Sequence, residues 1–309
     1  MKTIVISSSH FANGFKDPGY EVSQLIKASK KYYDNFFLVY PPSVRYHFQP
    51  KDKTGKVYLD TEDISEATAL IVRNTSACEE ATRLLALNLY ANKCELLDPL
   101  DRFNGTAATK SFMTLKGLKD KTIPPTFIAF STHSALELLP VIEREDLFPV
   151  VGKPTSGKHG KDVQLIKTSQ EGKQYIKSFF TKYQENFNGI IFQKYIEIKN
   201  EYRVLVLDGK SLGIVEKEAT PNIIARNANK GSRFLSVTNE KVEQYAMKYT
   251  SNKGLFGTDI ALNNKGECFL IESNRSPQWK TFEEATGIDV AEEIMKILEK
   301  RIAVSSELF

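Results

Sequence analysis

Three residues late in the chain have the types and spacing for metal chemistry. Asp259 closes the run Gly257-Thr258-Asp259, and Glu272 and Asn274 stand two apart in Ile271-Glu272-Ser273-Asn274. On an extended strand, residues two apart point to the same face. Two carboxylates and an amide oxygen make a hard, all-oxygen donor set. That set suits Mg²⁺, which takes one or two carboxylates and leaves its other positions to water and phosphate oxygens. The plainer reading is a polar hairpin end with solvated acids.

For these three to meet, residues 257–262 and 268–277 must pair as a hairpin. Both are short apolar runs with polar residues at one edge. Asn263-Asn264-Lys265-Gly266 between them is a turn signal. The chain before the hairpin supplies more strands and helices. Residues 3–7 read as a buried strand, and 19–32 as a helix with Val22, Leu25, Ile26 and Ala28 on its apolar face. Residues 35–40 are a second strand stopped by Pro41-Pro42, and a short hairpin is expected around 53–56. Residues 67–73 are a third strand, 79–92 an amphipathic helix and 95–97 a fourth strand. Strands alternating with helices imply a small parallel sheet. Arg73 and Asn74 sit at a strand's carboxyl end, where such sheets bind ligands. An arginine that caps a helix or pairs with Glu79 is the other reading, and the sequence leaves both open.

Residues 101–118 are polar and then helical, with Lys110 in the middle. An extended segment at 122–130 and a helix at 134–144 follow, and a strand at 148–154 carries Lys153 near its end. A glycine-containing loop, 155–162, joins it to a strand at 163–166. The loop does not lead into a helix and lacks the Gly-Lys-Ser/Thr ending, so it is no Walker A loop. Its backbone N–H groups can still cradle phosphates. Taken alone, Lys153 reads as a lysine whose ammonium reaches out to solvent. Next come a helix at 173–187, a strand at 189–196, and a strand at 201–210 with its hairpin partner at 211–216. Lys217 and a polar, basic loop at 219–234 lead to a helix at 239–251. Residues 281–301 form a long amphipathic helix, and the tail after Ala303 is expected to fray.

Composition narrows the class. The chain has 309 residues, 41% hydrophobic and 26% charged, enough for two or three small domains with a proper core. A net charge of +4 is too weak to argue for nucleic acid. Three cysteines without metal-ligand spacing make no disulfide framework, which fits a reducing, cytoplasmic setting. The four histidines are scattered. The first apolar run is too short for a signal peptide, and no run is long enough to span a membrane.

Taken in order, these elements resemble the ATP-grasp superfamily, and within it the glutathione-synthetase-like and RimK-like carboxylate–amine ligases. The resemblance runs from residue 101 to residue 297. It rests on Lys110, the 149–154 run with its glycine loop, Gln193-Lys194-Tyr195-Ile196, and Glu201-Tyr202-Arg203. It continues through Asp259, Glu272-Ser273-Asn274 and Ser276-Pro277 to Thr286-Gly287-Ile288-Asp289.

The resemblance implies an α/β chain with an α+β ATP-grasp module. A small parallel N-terminal domain would occupy residues 1–100, a central lobe with the glycine loop 101–190, and a C-terminal lobe with the metal site 191–309. It implies ATP and Mg²⁺ or Mn²⁺ as cofactors. Lys110 and Lys153 would contact ATP phosphates as compact cations. Gly157 and Gly160 belong to the loop closing over the triphosphate. The backbone of Gln193, Lys194, Tyr195 and Ile196 would read the adenine edge, and Glu201 would hold the ribose. Asp259, Glu272 and Asn274 would bind the metal. Arg203, Lys217, Arg226 and Asn227 would be catalytic, facing the γ-phosphate and the acyl group, where spread-out charge needs cations.

The implied reaction joins a carboxylate to an amine through an acyl phosphate, with release of ADP and phosphate. A small-molecule kinase and a non-catalytic nucleotide-binding module on the same fold are the alternatives. The implied partners are carboxylate and amine substrates, small or peptidic, or a protein acceptor, with no nucleic acid and no membrane. Homo-oligomers are common among such proteins. This sequence departs from the family at Lys194, where an acidic residue is common, and in the spacing of Arg226-Asn227.

Overall fold

A computed structural model describes residues 1–9, 18–49, 54–73, 78–104, 123–155, 162–183, 188–218 and 233–307. The N-terminal part runs β1 (Thr3–Ser8), α1 (Tyr20–Ser29), β2 (Asn35–Val39), β3 (Val44–His47), β4 (Lys56–Leu59), β5 (Glu62–Asp63), β6 (Ala69–Arg73), α2 (Glu79–Ala91), β7 (Glu95–Leu96) and one helical turn, α3 (Asp101–Asn104). Strands β2, β1, β6 and β7 lie side by side and all parallel. The continuous apolar runs of β1 and β6 follow from burial on both faces. Ile4, Ile6, Ala69 and Ile71 enter one core, while Val5, Leu70 and Val72 enter another with Leu85 and Leu89 of α2. Strands β3, β4 and β5 form a separate small antiparallel sheet.

The central part comprises β8 (Thr126–Ala129), α4 (Thr132–Arg144), β9 (Val150–Pro154), β10 (Gln164–Ile166), α5 (Ser169–Tyr183) and β11 (Ile190–Lys194). Its antiparallel sheet has the order β10-β9-β11-β8. Leu139 and Ile142 of α4 and Ile176, Phe179 and Phe180 of α5 pack on Val150, Ile190 and Phe192. Helix α5 starts four residues earlier than its apolar periodicity predicts. Thr168 and Glu171 account for this: the Thr168 hydroxyl accepts the Glu171 N–H at 3.2 Å, and the Glu171 carboxylate accepts the Lys167 N–H at 2.7 Å. Thr168 thus meets one N–H that the first turn leaves free, and Glu171 reaches back to the residue before the cap.

The C-terminal part contains β12 (Ile198–Leu207), β13 (Lys210–Lys217), β14 (Phe234–Val237), α6 (Glu240–Met247), β15 (Leu255–Asn263), β16 (Cys268–Asn274), α7 (Lys280–Thr286) and α8 (Val290–Glu307). The sheet is antiparallel in the order β14-β13-β12-β15-β16. Its two faces go to different cores. Val204, Val206, Phe256 and Ile260 pack with Val242 and Ala246 of α6. Leu205, Leu207, Val215 and Leu255 pack with Phe282, Ile294 and Leu298, and with Ile4, Ile6 and Ile71 of the parallel sheet. The first and last parts of the chain therefore share one core.

The single helix expected over 281–301 is two helices. Gly287 at φ 72° caps α7 in a left-handed conformation, and its N–H returns to the Glu283 carbonyl at 2.8 Å. Glycine adopts that conformation without steric cost, and the chain then turns into α8. Helix α8 continues to Glu307, past the expected fray at Ala303. Among the described residues, no helix is long and apolar enough to cross a membrane.

Candidate active site

One face of the C-terminal sheet changes from apolar to charged toward one end. Along β12, Leu207 and Leu205 lie in the shared core, and Arg203 and Glu201 continue the same alternation. On β13 the sequence is Val215 and then Lys217, and on β15 it is Leu255, Gly257 and Asp259. The register sets these charges opposite one another: Glu201 faces Lys217, Arg203 faces Asp259, and Asp259 faces Glu272. A bulge on β16 completes the face. Ile260 pairs with Leu270 but Asp259 pairs with Glu272, so Ile271 is the extra residue. An extra residue switches which side chains share a face. Without it, Glu272 would share the face of Leu270, which lies in the opposite core.

The result is a row of alternating charge. Lys217, only 1% exposed, donates to Glu201 at 2.7 Å and to Asp259 at 2.6 Å. Arg203 grips Asp259 with both arms of its fork, Nε to Oδ1 and Nη2 to Oδ2, each at 2.8 Å. Such paired, charge-assisted bonds are strong and directional. Beyond Arg203 stands Glu272, 3.9 Å from Nη2. The Asn274 amide donates to Glu272 Oε1 at 2.8 Å. Burial pushes the Asp259 carboxyl up, but the Arg203 and Lys217 charges outweigh it and hold it below the usual carboxylate range. Burial likewise works against the Arg203 charge, and Asp259 more than compensates, so the guanidinium is held above its ordinary value.

The donor chemistry fits a magnesium ion. Glu272 is partly open, and Asn274 is exposed beside it, so two neighbouring side chains offer oxygen toward solvent. Asp259 is nearly buried; its Oδ2 accepts from both Arg203 and Lys217, while Oδ1 accepts one bond and keeps a second lone pair. Among the described residues no group of three His, Cys, Asp or Glu could hold a metal. The third candidate donor is an amide, as Mg²⁺ with its retained waters would allow.

A second polar group lies in the central sheet. Lys153 Nζ donates to Gln193 Oε1 at 2.9 Å, and Gln193 Nε2 donates to Thr126 Oγ1 at 2.8 Å. The backbone N–H groups of Lys194 and Tyr195 go to the Pro125 and Pro149 carbonyls, at 2.8 and 3.0 Å. Lys194 Nζ reaches the Phe148 carbonyl at 3.1 Å. Ile196, next along, is half-buried and precedes β12, so a short stretch of chain joins this group to Glu201 and Arg203. Lys110, Gly157, Gly160, Arg226, Asn227 and Asn74 lie outside the described residues.

Arg73 does not pair with Glu79. It is 7% exposed, donates to the Pro277 carbonyl at 2.7 Å and lies over the Trp279 ring. Glu79 instead pairs with Arg83 at 2.6 Å. Sequence reasoning missed this contact because the partners lie 204 residues apart.

Fold and site together define the class. The structure aligns along nearly its whole length with the ATP-grasp ligase PsnB complexed with a minimal precursor, Mg and ADP. The TM-score is 0.68 at 13% identity, covering 97% of this chain and 98% of that one. The fold is the ATP-grasp fold. More narrowly, residues 108–298 match the RimK-like ATP-grasp domain, and the chain belongs to that family. Among curated proteins, it is 29% identical over 177 residues to a "Probable alpha-L-glutamate ligase" of Shewanella halifaxensis, covering 54% of this chain and 38% of that protein. It is also 29% identical over 177 residues to the "Glutamate--LysW ligase ArgX" of Sulfolobus acidocaldarius, covering 56% of this chain and 61% of that protein. The chain thus spans about half the length of the curated relatives it matches.

Proposed function

We propose that this chain is an ATP-dependent carboxylate–amine ligase that joins an amino acid to a small or peptidic partner. The observation that carries the reading is the charged face of the C-terminal sheet. There Glu272 and Asn274 offer oxygens side by side, and Arg203 stands 3.9 Å from Glu272 on the same face. Membership of the RimK-like family and the ligase names of the relatives support it.

In this reading Lys153 and Lys110 meet the nucleotide's phosphates, with Gly157 and Gly160 in the loop above them. Gln193, Lys194, Tyr195 and Ile196 line the adenine end, with Glu201 toward the ribose. Asp259, Glu272 and Asn274 would hold Mg²⁺, which when bound would supply positive charge to neutralise the phosphates. A substrate carboxylate oxygen attacks the γ-phosphorus, and the bond to the ADP oxygen breaks. Arg203, held by Asp259, would set its positive charge beside the transferring phosphoryl group, where charge is worth most in a water-poor site. An amine then attacks the acyl carbon, phosphate leaves, and the amine gives up a proton. Arg226 and Asn227 stand by the acyl group. Lys217 works at one remove: its ammonium lies between Glu201 and Asp259 and fixes both. A cytoplasmic setting belongs to the same reading and agrees with three free, buried cysteines.

The test is Mg²⁺-dependent release of ADP and phosphate from ATP across pools of amino acids, dipeptides and small carboxylic acids, with glutamate first and product masses read alongside. A product weighing the sum of its parts less water is expected. A phosphorylated product would overturn the ligase reading.

A further inference from the structure

The segment leaving β16 directly after Asn274 is gripped from the N-terminal sheet. Arg73, the last residue of β6, donates to the Pro277 carbonyl at 2.7 Å and stacks over Trp279, its Cζ 4.5 Å from the ring centroid. Arg102 donates to Ser276 Oγ at 3.1 Å while it bridges to Asp98 at 2.5 Å. The Trp279 backbone N–H goes to Glu21 at 3.0 Å. On its other side Pro277 closes on β15. A Cβ added at Gly257 would lie 2.5 Å from the Pro277 Cβ. Gly257 is the register partner of Asn274 and stands two residues before Asp259. A chain of direct contacts therefore runs from Arg73 through Pro277 to the backbone that presents the oxygen cluster.

Arg73 is an expensive residue to place there. Burial pulls its guanidinium down to about 10. Among the described residues no carboxylate stands at ion-pair distance, since Asp98 turns to Arg102 and Glu21 to the Trp279 N–H. A buried charge without a paired carboxylate gives little stability in return for its desolvation. What Arg73 does make are two contacts to one short segment. Its planar fork can bond a carbonyl and stack on an indole at once, which an ammonium cannot.

We infer that Arg73 is a positioning residue for the oxygen cluster: by fixing Pro277 and Trp279, it sets the strand ends on which Asp259, Glu272 and Asn274 stand. The inference rests on the reading of that cluster as a metal–nucleotide site. Residues that orient metal ligands from behind typically change metal affinity by about 10- to 100-fold when altered.

The test is calorimetric titration of the full chain with ADP, in Mg²⁺ and in EDTA, for the wild type, Arg73→Lys and Arg73→Met. Thermal unfolding without ligand confirms that each variant is folded. Arg73→Lys keeps a cation and a donor, and carries the test if Arg73→Met does not fold. The wild type is expected to bind ADP more tightly with Mg²⁺. The variants are expected to keep their affinity in EDTA and lose about tenfold or more of the Mg²⁺ gain. Folded variants with the full Mg²⁺ gain would overturn the inference. So would an equal loss with and without Mg²⁺, which is the mark of a merely structural role. A wild type with no Mg²⁺ gain overturns the cluster reading itself, and this shows before any substitution is made.

Discussion

Arg203 and Asp259 stand opposite each other on β12 and β15, joined by two hydrogen bonds of 2.8 Å that use both carboxylate oxygens. Asp259 is the counter-charge for two buried cations, and in the proposed site it would be an oxygen donor as well. Asp259→Asn keeps the shape and removes the charge. Lys217 is then left with Glu201, and Arg203 with Glu272 at 3.9 Å. Breaking a buried pair in this way costs about 3–5 kcal/mol. Urea denaturation is expected to show a loss of that size.

Glu272 is the contrasting case. It is partly open, and its contacts are Asn274 and a distant Arg203. Glu272→Gln is expected to shift stability by no more than about 0.5 kcal/mol, as at other surface positions. Magnesium-dependent ADP binding and turnover should nonetheless be lost. A fully active Glu272→Gln enzyme would remove Glu272 from the site.

Lys217 offers a double-mutant cycle. Lys217→Met leaves two buried carboxylates without their shared cation and should cost several kcal/mol, about the 3–5 of a broken buried pair. Adding Glu201→Gln removes one of those charges while Arg203 still holds Asp259. Recovery of about 1 kcal/mol or more in the double variant is expected for residues in contact. Strict additivity in the cycle would show that Lys217 and Glu201 do not act together.

Gly257 has an ordinary backbone conformation, so its requirement is for space alone. A methyl group there meets Pro277 at 2.5 Å, and Pro277 is held from behind by Arg73. Gly257→Ala is expected to cost about 1–3 kcal/mol, as overpacking does. It should also weaken ADP binding more in Mg²⁺ than in EDTA.

The Tyr46 hydroxyl is buried with no hydrogen-bond partner among the described residues. Burial pushes its phenol up from 10.0 to about 12. The folded state therefore holds the proton more tightly than the unfolded one. The phenol stays neutral in both states below pH 10, and the fold loses stability as pH rises from there through about 12. Tyr46→Phe is expected to raise stability by about 1 kcal/mol at neutral pH, since an unmet polar group is removed. It should also flatten the decline between pH 10 and 12 seen in alkaline unfolding curves.

Much of this was legible in the sequence because it is local or periodic. The pairing of Glu272 with Asn274 needs only the two-residue repeat of a strand. The doubly buried β1 and β6 announce themselves as unbroken apolar runs. The early start of α5 was legible too, in Thr168 and Glu171, although the apolar periodicity pointed further on. The bulge at Ile271 was not legible, since nothing in the local sequence marks the residue that falls out of register. The role of Lys217 was hidden for a related reason. Its partners Glu201 and Asp259 come from two other strands, and only the register of three strands shows the ammonium enclosed. The break at Gly287 was masked because apolar residues continue on both sides of it. β14, four residues long and half-exposed at the sheet edge, is too short to stand out.

The core shared by Ile4, Ile6, Ala69 and Ile71 with Ile294 and Leu298 has a consequence for how the protein is made. At a translation rate of about 5–20 residues per second, roughly 15 to 60 seconds separate the emergence of the first strand from that of the last helix. For much of that interval this face of the parallel sheet is covered only in part, by Val22, Leu25 and Ala28 of α1. The nascent protein must therefore be shielded, or fold late, and a ribosome that stalls before Ile294 leaves a sticky, half-covered sheet.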